Sequence, residues 1–167
     1  MKPLALRDLA GAVVLIVLSA GAPSCSRASQ AEACAADRQE LAAAVERDQH
    51  LGAMLHEVDS LAGSGKGVEA ANRIDKAVRP ELARTSDEAS QLHMRTRWGL
   101  ARQKQLRALL DARAASLSDY ADALRSDRLD EVVEAMTAQR DIEKRAMEVQ
   151  KAIGSEPDSS TGECAAP

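Results

Sequence analysis

The hydrophobic positions of this chain hold one unbroken register from Val78 to Leu124. Alternate steps of four and three residues link fourteen positions, most of them apolar: Val78, Leu82, Thr85, Ala89, Leu92, Thr96, Gly99, Gln103, Leu106, Leu110, Arg113, Leu117, Tyr120 and Leu124. A spacing of about 3.5 residues is the heptad signature of a long helix that contacts partners along one stripe. The register therefore predicts a long central helix, and Gly99 on its seam is a candidate break.

The segments on either side of this register also have helical patterns. Residues 31–62 carry an amphipathic stripe that slips once, and Gly63-Ser64-Gly65-Lys66-Gly67 ends it with a turn. A second stripe runs from Leu129 to Ile153, and Gly154 ends it. We predict an all-α fold for residues 31–153, an elongated antiparallel bundle around the long helix, followed by a polar tail over 154–167. The alternative is a four-helix up-down bundle in which the chain turns at Gly99.

The first residues have the features of an export signal. A basic start and an apolar run, Leu9–Ala20, precede Ala22-Pro23-Ser24-Cys25, and the run is shorter than the roughly 20 residues that span a bilayer. This stretch resembles the signal peptide and lipobox of bacterial lipoproteins. The resemblance implies removal of residues 1–24, acylation of Cys25 and a short tether over 25–30. Simple secretion and an uncleaved anchor are the alternatives.

The same resemblance carries an expectation about location. In enterobacterial lipoproteins, a residue such as Ser26 directly after the acylated Cys permits sorting to the outer membrane. We therefore expect a lipid-anchored protein of the cell envelope, on the outer membrane and facing the periplasm. A periplasmic or inner-membrane-anchored protein is the alternative.

The three cysteines fit this compartment. If Cys25 is acylated, Cys34 and Cys164 are an even pair in an oxidising environment, and a bridge between them closes a loop of roughly 130 residues. In the chain-entropy model, such a loop stabilises the fold by about 4–5 kcal/mol. We predict the Cys34–Cys164 disulfide, with two independent thiols as the alternative.

The composition argues against several classes of function. Phe is absent, and Trp98 and Tyr120 are the only aromatic residues, whereas sugar grooves and base-stacking surfaces need several aromatic faces. The formal charge of −4 gives no reason to expect a nucleic-acid partner.

The sequence also lacks the usual signatures of catalysis and of cofactor binding. His50, His56 and His93 have no pair at the spacing of three or four that helical metal sites use. The Gly63–Gly67 loop has Gly67 where a phosphate-binding loop needs Ser or Thr, and no Gly-x-Ser-x-Gly elbow is present. We therefore predict no catalytic residue, no metal, no cofactor and no small-molecule substrate.

One basic stretch is a candidate partner-binding surface. Its members are Arg95, Arg97, Trp98, Arg102, Lys104 and Arg107, and no acidic residue follows them before Asp111. Trp98 either anchors a partner or fills the core beside Gly99. Lipid phosphate or an acidic protein would suit the basic stretch. The competing interpretation pairs Arg107 with Glu143 and Lys104 with Glu148 inside the bundle.

These observations favour a non-catalytic envelope lipoprotein. Its helical bundle would act as a structural or protein-interaction module, such as an accessory subunit or assembly factor. The alternative is a self-associating coiled coil that scaffolds or spaces the envelope, and a third hypothesis is a periplasmic metal or stress sensor. An enzyme is not expected.

Overall fold

The computed structural model describes residues 23–126, 128–157 and 162–167, which are almost entirely helical and include no strand. The elements are α1 (Pro23–Gly63), α2 (Gly67–Arg73), a π-helical turn (Ile74–Val78), α3 (Arg79–Gln91), α4 (Arg97–Ser126) and α5 (Leu129–Gly154). The all-α prediction is confirmed. Within these residues, no helix is both long enough and apolar enough to cross a membrane. The predicted signal peptide, apart from Pro23 and Ser24, lies outside the described residues.

Helix α1 is longer than its amphipathic stripe indicates. Its helical backbone begins at Pro23 and so includes Cys25 and the predicted tether. Its core face follows helical spacing through Leu41, Ala44, Leu51, Leu55 and Val58, all buried. The slip in the stripe coincides with Asp48, a fully buried carboxylate among these aliphatic residues. Gly65, with a φ of 76°, supplies the left-handed conformation that the turn after α1 requires.

The segment from α2 to α3 is one continuous helix that runs back along α1. The residues at both ends of the π-helical turn have right-handed helical dihedrals. A proline ring in a regular helix meets the carbonyl group four residues before it, and a π turn widens the backbone there. The π turn directly precedes Arg79-Pro80, which explains how the helix continues through Pro80.

The chain breaks between α3 and α4, so the predicted single helix from Val78 to Leu124 is wrong. Leu92 has an extended backbone (φ −62°, ψ 134°), and α4 begins only at Arg97. The alternative fold, a four-helix up-down bundle, is the observed one, although the break lies before Gly99 rather than at it. Its four long helices are α1, the α2–α3 helix, α4 and α5.

The predicted hydrophobic seam is nevertheless the core. Of its fourteen positions, Leu92 alone is only partly buried, and the other thirteen are buried. The Tyr120 hydroxyl donates a hydrogen bond to Asp59 Oδ1 at 2.8 Å, which joins α4 to α1. Burial and this bond both raise the pKa of Tyr120 far above its ordinary value.

Candidate functional site

Three parts of the chain meet at one end of the bundle. Cys34 on α1 and Cys164 in the tail form the predicted disulfide, with their Cα atoms 5.4 Å apart and both residues buried. The tail then reaches the start of α4, where the Arg97 and Trp98 N–H groups donate to the carbonyl oxygens of Ala165 (3.0 Å) and Glu163 (2.9 Å). These two helix-terminal donors would otherwise lack partners. We call this region, formed by Cys34, Arg97 and Cys164, the stapled end.

A buried carboxylate on α1 organises the loop before α4. Asp37 is fully buried and accepts hydrogen bonds from the N–H groups of Arg95 (3.0 Å) and Thr96 (2.9 Å) and from Thr96 Oγ1 (2.7 Å). Thr96 Oγ1 in turn accepts from the Gly99 N–H at 3.0 Å, as an N-cap residue does. The loop conformation and the start of α4 therefore depend on one side chain of α1.

Gly99 allows this close approach. A Cβ atom built on Gly99 would lie 2.8 Å from the carboxylate carbon of Asp37 and 3.0 Å from its Cβ. Real Cβ atoms do not come so close to another side chain. The seam glycine is therefore a contact point between α1 and α4, and the helix does not break there.

The six candidate partner-binding residues divide into two groups. Arg95 is held by its neighbours, since its guanidinium contacts Glu40 Oε1 (2.7 Å) and Asp37 Oδ1 (3.2 Å), which raise its pKa. Trp98 is only 3% exposed, so it fills the core and is not available as an exposed anchor. The Arg102 guanidinium lies 6.0 Å from the centre of the Trp98 ring and donates to Gln105 Oε1 at 3.0 Å.

The other three residues, Arg97, Lys104 and Arg107, are exposed and make no ion pair with any residue that the structure describes. With Leu100, which is 40% exposed, they follow helical spacing along one face of α4. We call these four residues the basic stripe. A surface groove of about 590 Å³ runs beside it and is also lined by Gln103, Ala108 and Asp111.

The expected internal pairing of Lys104 and Arg107 is wrong. Glu143 instead contacts the buried Arg113, with Oε1 2.7 Å from Nη1. Glu148 lines a different groove, with Gln105 and Arg145. Glu143 thus lies level with Arg113, which is six residues closer than Arg107 to the end of α4.

Arg113 is the centre of a buried charge cluster. It is 1% exposed, and its Nε forms an ion pair with Oδ1 of the fully buried Asp48 at 3.2 Å. The other carboxylate oxygen of Asp48, Oδ2, accepts a hydrogen bond from Gln150 Nε2 at 3.2 Å. Burial raises the pKa of Asp48, while the charge of Arg113 opposes that shift. These contacts join α1, α4 and α5 at one level.

Gln103, the second polar seam residue, ends α3. Its amide nitrogen donates to the carbonyl oxygens of Ala89 and Leu92, both at 2.9 Å. These carbonyl groups belong to the last turn of α3 and the residue after it, where helical partners are missing. Heptad spacing places Gln103 on the seam but does not indicate this role, because the unbroken register does not show that α3 ends at Gln91.

The three histidines are exposed. Among the described residues, no three or more His, Cys, Asp and Glu side chains are grouped so that they could hold a metal ion. The chain matches no protein-family model, no curated protein and no solved structure.

Proposed function

We propose that this protein is a lipid-anchored envelope protein whose helical bundle is a non-catalytic interaction module. The observation that carries the proposal is the basic stripe, whose three exposed cations make no ion pair with the described residues, on a chain with a formal charge of −4. Most other arginines of the described chain pair with carboxylates, as Arg73 does with Glu57 at 2.8 Å and Arg95 with Glu40 at 2.7 Å. A cluster of cations without such partners is typical of a surface that contacts another molecule.

The lipobox-like Ala22-Pro23-Ser24-Cys25 supports the anchor part of the proposal. The backbone at Cys25 belongs to the first turn of α1, about 14 Å before Cys34 at 1.5 Å per residue. Acyl chains on Cys25 would therefore attach beyond the stapled end and leave the bundle exposed to partners. Two or three such chains are sufficient for stable membrane attachment.

Metabolic labelling with an alkyne-bearing palmitate in bacterial cells tests the anchor. The wild-type chain is expected to incorporate the label, and Cys25→Ser is expected to lose it. The double variant Cys34→Ser, Cys164→Ser is the matched control, because it removes two cysteines and should keep the label. An unlabelled wild-type chain, or label that persists in Cys25→Ser, would contradict the anchor.

The size of the detergent-solubilised native protein tests the interaction part. A complex with a different polypeptide supports the module. The alternative, a self-associating scaffold, is favoured by a different observation. The apolar side chains of Leu129 and Val133 lie one turn apart on α5 and are 78% and 55% exposed. A complex that contains only this chain would favour that alternative, and a monomer would contradict both.

A further inference from the structure

The direction of the basic stripe distinguishes between its possible partners. Lys104 and Arg113 are nine residues apart on α4, which is about two and a half helical turns, so they point in opposite directions. Arg113 contacts Asp48 of α1 at 3.2 Å. The basic stripe therefore faces away from α1, the helix that would carry the lipid anchor.

This direction does not suit a bundle that lies flat with its stripe on the anchoring membrane. Packed helices are about 8–10 Å apart, and a helix with its side chains has a radius of about 5–6 Å. With the stripe on the bilayer surface, the axis of α1 would be roughly 13–16 Å above that surface. Lipid chains on Cys25 would then start well outside the membrane.

An upright bundle also keeps most of the stripe away from the headgroups. The Arg97 N–H donates a hydrogen bond to the carbonyl of Ala165, the residue after Cys164, and Cys164 is bridged to Cys34. Arg97 therefore lies close to the level of Cys34, which is about 14 Å from Cys25 along the axis of α1. Lys104 and Arg107 lie about 10 and 15 Å farther along α4. Electrostatic attraction decays over about 8 Å at physiological ionic strength, so these two cations would be screened from the lipid charge.

The spacing within the stripe fits a helical partner. Its cations at 97, 104 and 107 surround Leu100 over about three turns, and Ala108 gives a shallow floor beside them. A helix with Asp or Glu at spacings of three, four and seven residues would match the cations, and one aliphatic side chain would cover Leu100.

We propose that the basic stripe docks an acidic, aliphatic helical segment of a second envelope protein. This inference rests on the anchor in the proposed function, because the position of Cys25 is what argues against the membrane. Charge complementarity makes the attachment sensitive to salt and to charge reversal.

Photo-crosslinking in intact cells tests this proposal. A benzophenone-bearing residue replaces the exposed Ala108 beside the stripe, and the same residue at the exposed Ala53 on α1 is the control. Mass spectrometry then identifies the attached peptide. The expected adduct is a peptide of another protein with at least three carboxylates at helical spacing, formed from position 108 and not from position 53.

Charge-reversal variants show whether the stripe is responsible. The triple variant R97E/K104E/R107E is expected to lower the adduct yield roughly tenfold or more, because three favourable contacts become repulsive. The triple variant K76E/R140E/K151E makes the same change in net charge at other exposed positions and should keep the yield. The milder R97Q/K104Q/R107Q is expected to give an intermediate yield, and it keeps the test valid if the reversed chain does not accumulate.

An adduct with phospholipid, with a second copy of this chain or with a peptide lacking that acidic pattern would overturn the proposal, as would the absence of any adduct. Palmitate labelling of the same cells tests the anchor separately. An unlabelled chain that still forms the acidic adduct would reject the anchor and retain the docking surface.

Discussion

Gly99 and Asp37 occupy adjoining space, and a side chain at position 99 would overlap the Asp37 carboxylate. The Asp37 carboxylate lies where the side chain of residue 99 would be, since a Cβ there would be 2.8 Å from its carboxylate carbon. Asp37 cannot move aside without losing its bonds to the Arg95 and Thr96 backbone. This pair couples α1 to α4, the helix that carries the basic stripe.

Gly99→Ala is expected to destabilise the bundle by about 1–3 kcal/mol, because the added methyl group overfills a closed contact. Gly52→Ala is the matched control, since Gly52 lies inside α1 and its nearest neighbour would be 3.9 Å from the new Cβ, at Glu143 Oε2. There, alanine should stabilise by roughly 0.5–1 kcal/mol through helix propensity. Urea unfolding measures the change in the free energy of unfolding of each variant, which should be a decrease for Gly99→Ala and an increase for Gly52→Ala. A Gly99→Ala variant as stable as the wild type would contradict the contact.

Removal of the staple is expected to cost about 4–5 kcal/mol in the chain-entropy model, since Cys34 and Cys164 are 130 residues apart. The double variant C34A/C164A should unfold at lower urea than the oxidised wild type. Reduced wild type should behave like the variant. In the variant, we also expect faster hydrogen exchange at the Arg97 and Trp98 amides, whose acceptors are in the tail. Equal stability of oxidised and reduced protein would show that the bridge contributes nothing.

Arg113→Met is expected to destabilise the fold by roughly 3–5 kcal/mol, because it leaves the Asp48 carboxylate buried without its opposite charge. Glu143 adds little to this cost, since it is 44% exposed and can return to water. The double variant Asp48→Leu, Arg113→Met removes both buried charges and should recover most of the loss. If the double variant is no more stable than the single one, charge burial is not the cause.

The pH dependence of stability should carry the signature of Asp48. Because burial raises its folded-state pKa above the ordinary value of 3.8, the folded chain binds this proton more tightly than the unfolded chain. The contribution of Asp48 to the free energy of unfolding is therefore fully present below pH 3.8 and is lost as the pH rises through the raised pKa. Asp48→Asn lacks this loss, so its stability relative to wild type should increase with pH over that window. Urea titrations from about pH 3 to pH 7 measure the difference, and a difference that stays constant with pH would contradict the raised pKa.

The sequence pattern identified the core better than it identified the path of the chain. Residues such as Ala89, Thr96 and Gly99 are buried as the heptad register predicts, although α3 and α4 are separate antiparallel helices. Both helices present their seam to the same core, so the register continues across the break and conceals it. No Pro or Gly marks residues 92–96, and the turn depends on Asp37, which is remote in sequence.

The candidate surface was predictable only in part, for a related physical reason. Charge alone selected Arg95 and Lys104 together, yet Arg95 is paired with Glu40 and Asp37 while Lys104 is not paired within the described chain. The difference arises from the packing of α1 against the loop before α4. The disulfide was easier to predict, because Cys34 and Cys164 are the only pair that remains once Cys25 is assigned to the lipobox.

The intact mass of full-length protein extracted from bacterial membranes reports on the lipid anchor and the disulfide in one experiment. The measurement is made with and without reductant before thiol alkylation. We expect a chain that lacks residues 1–24, carries acyl mass and gains two alkylated thiols only after reduction. An unacylated chain with three free thiols would contradict both the anchor and the staple.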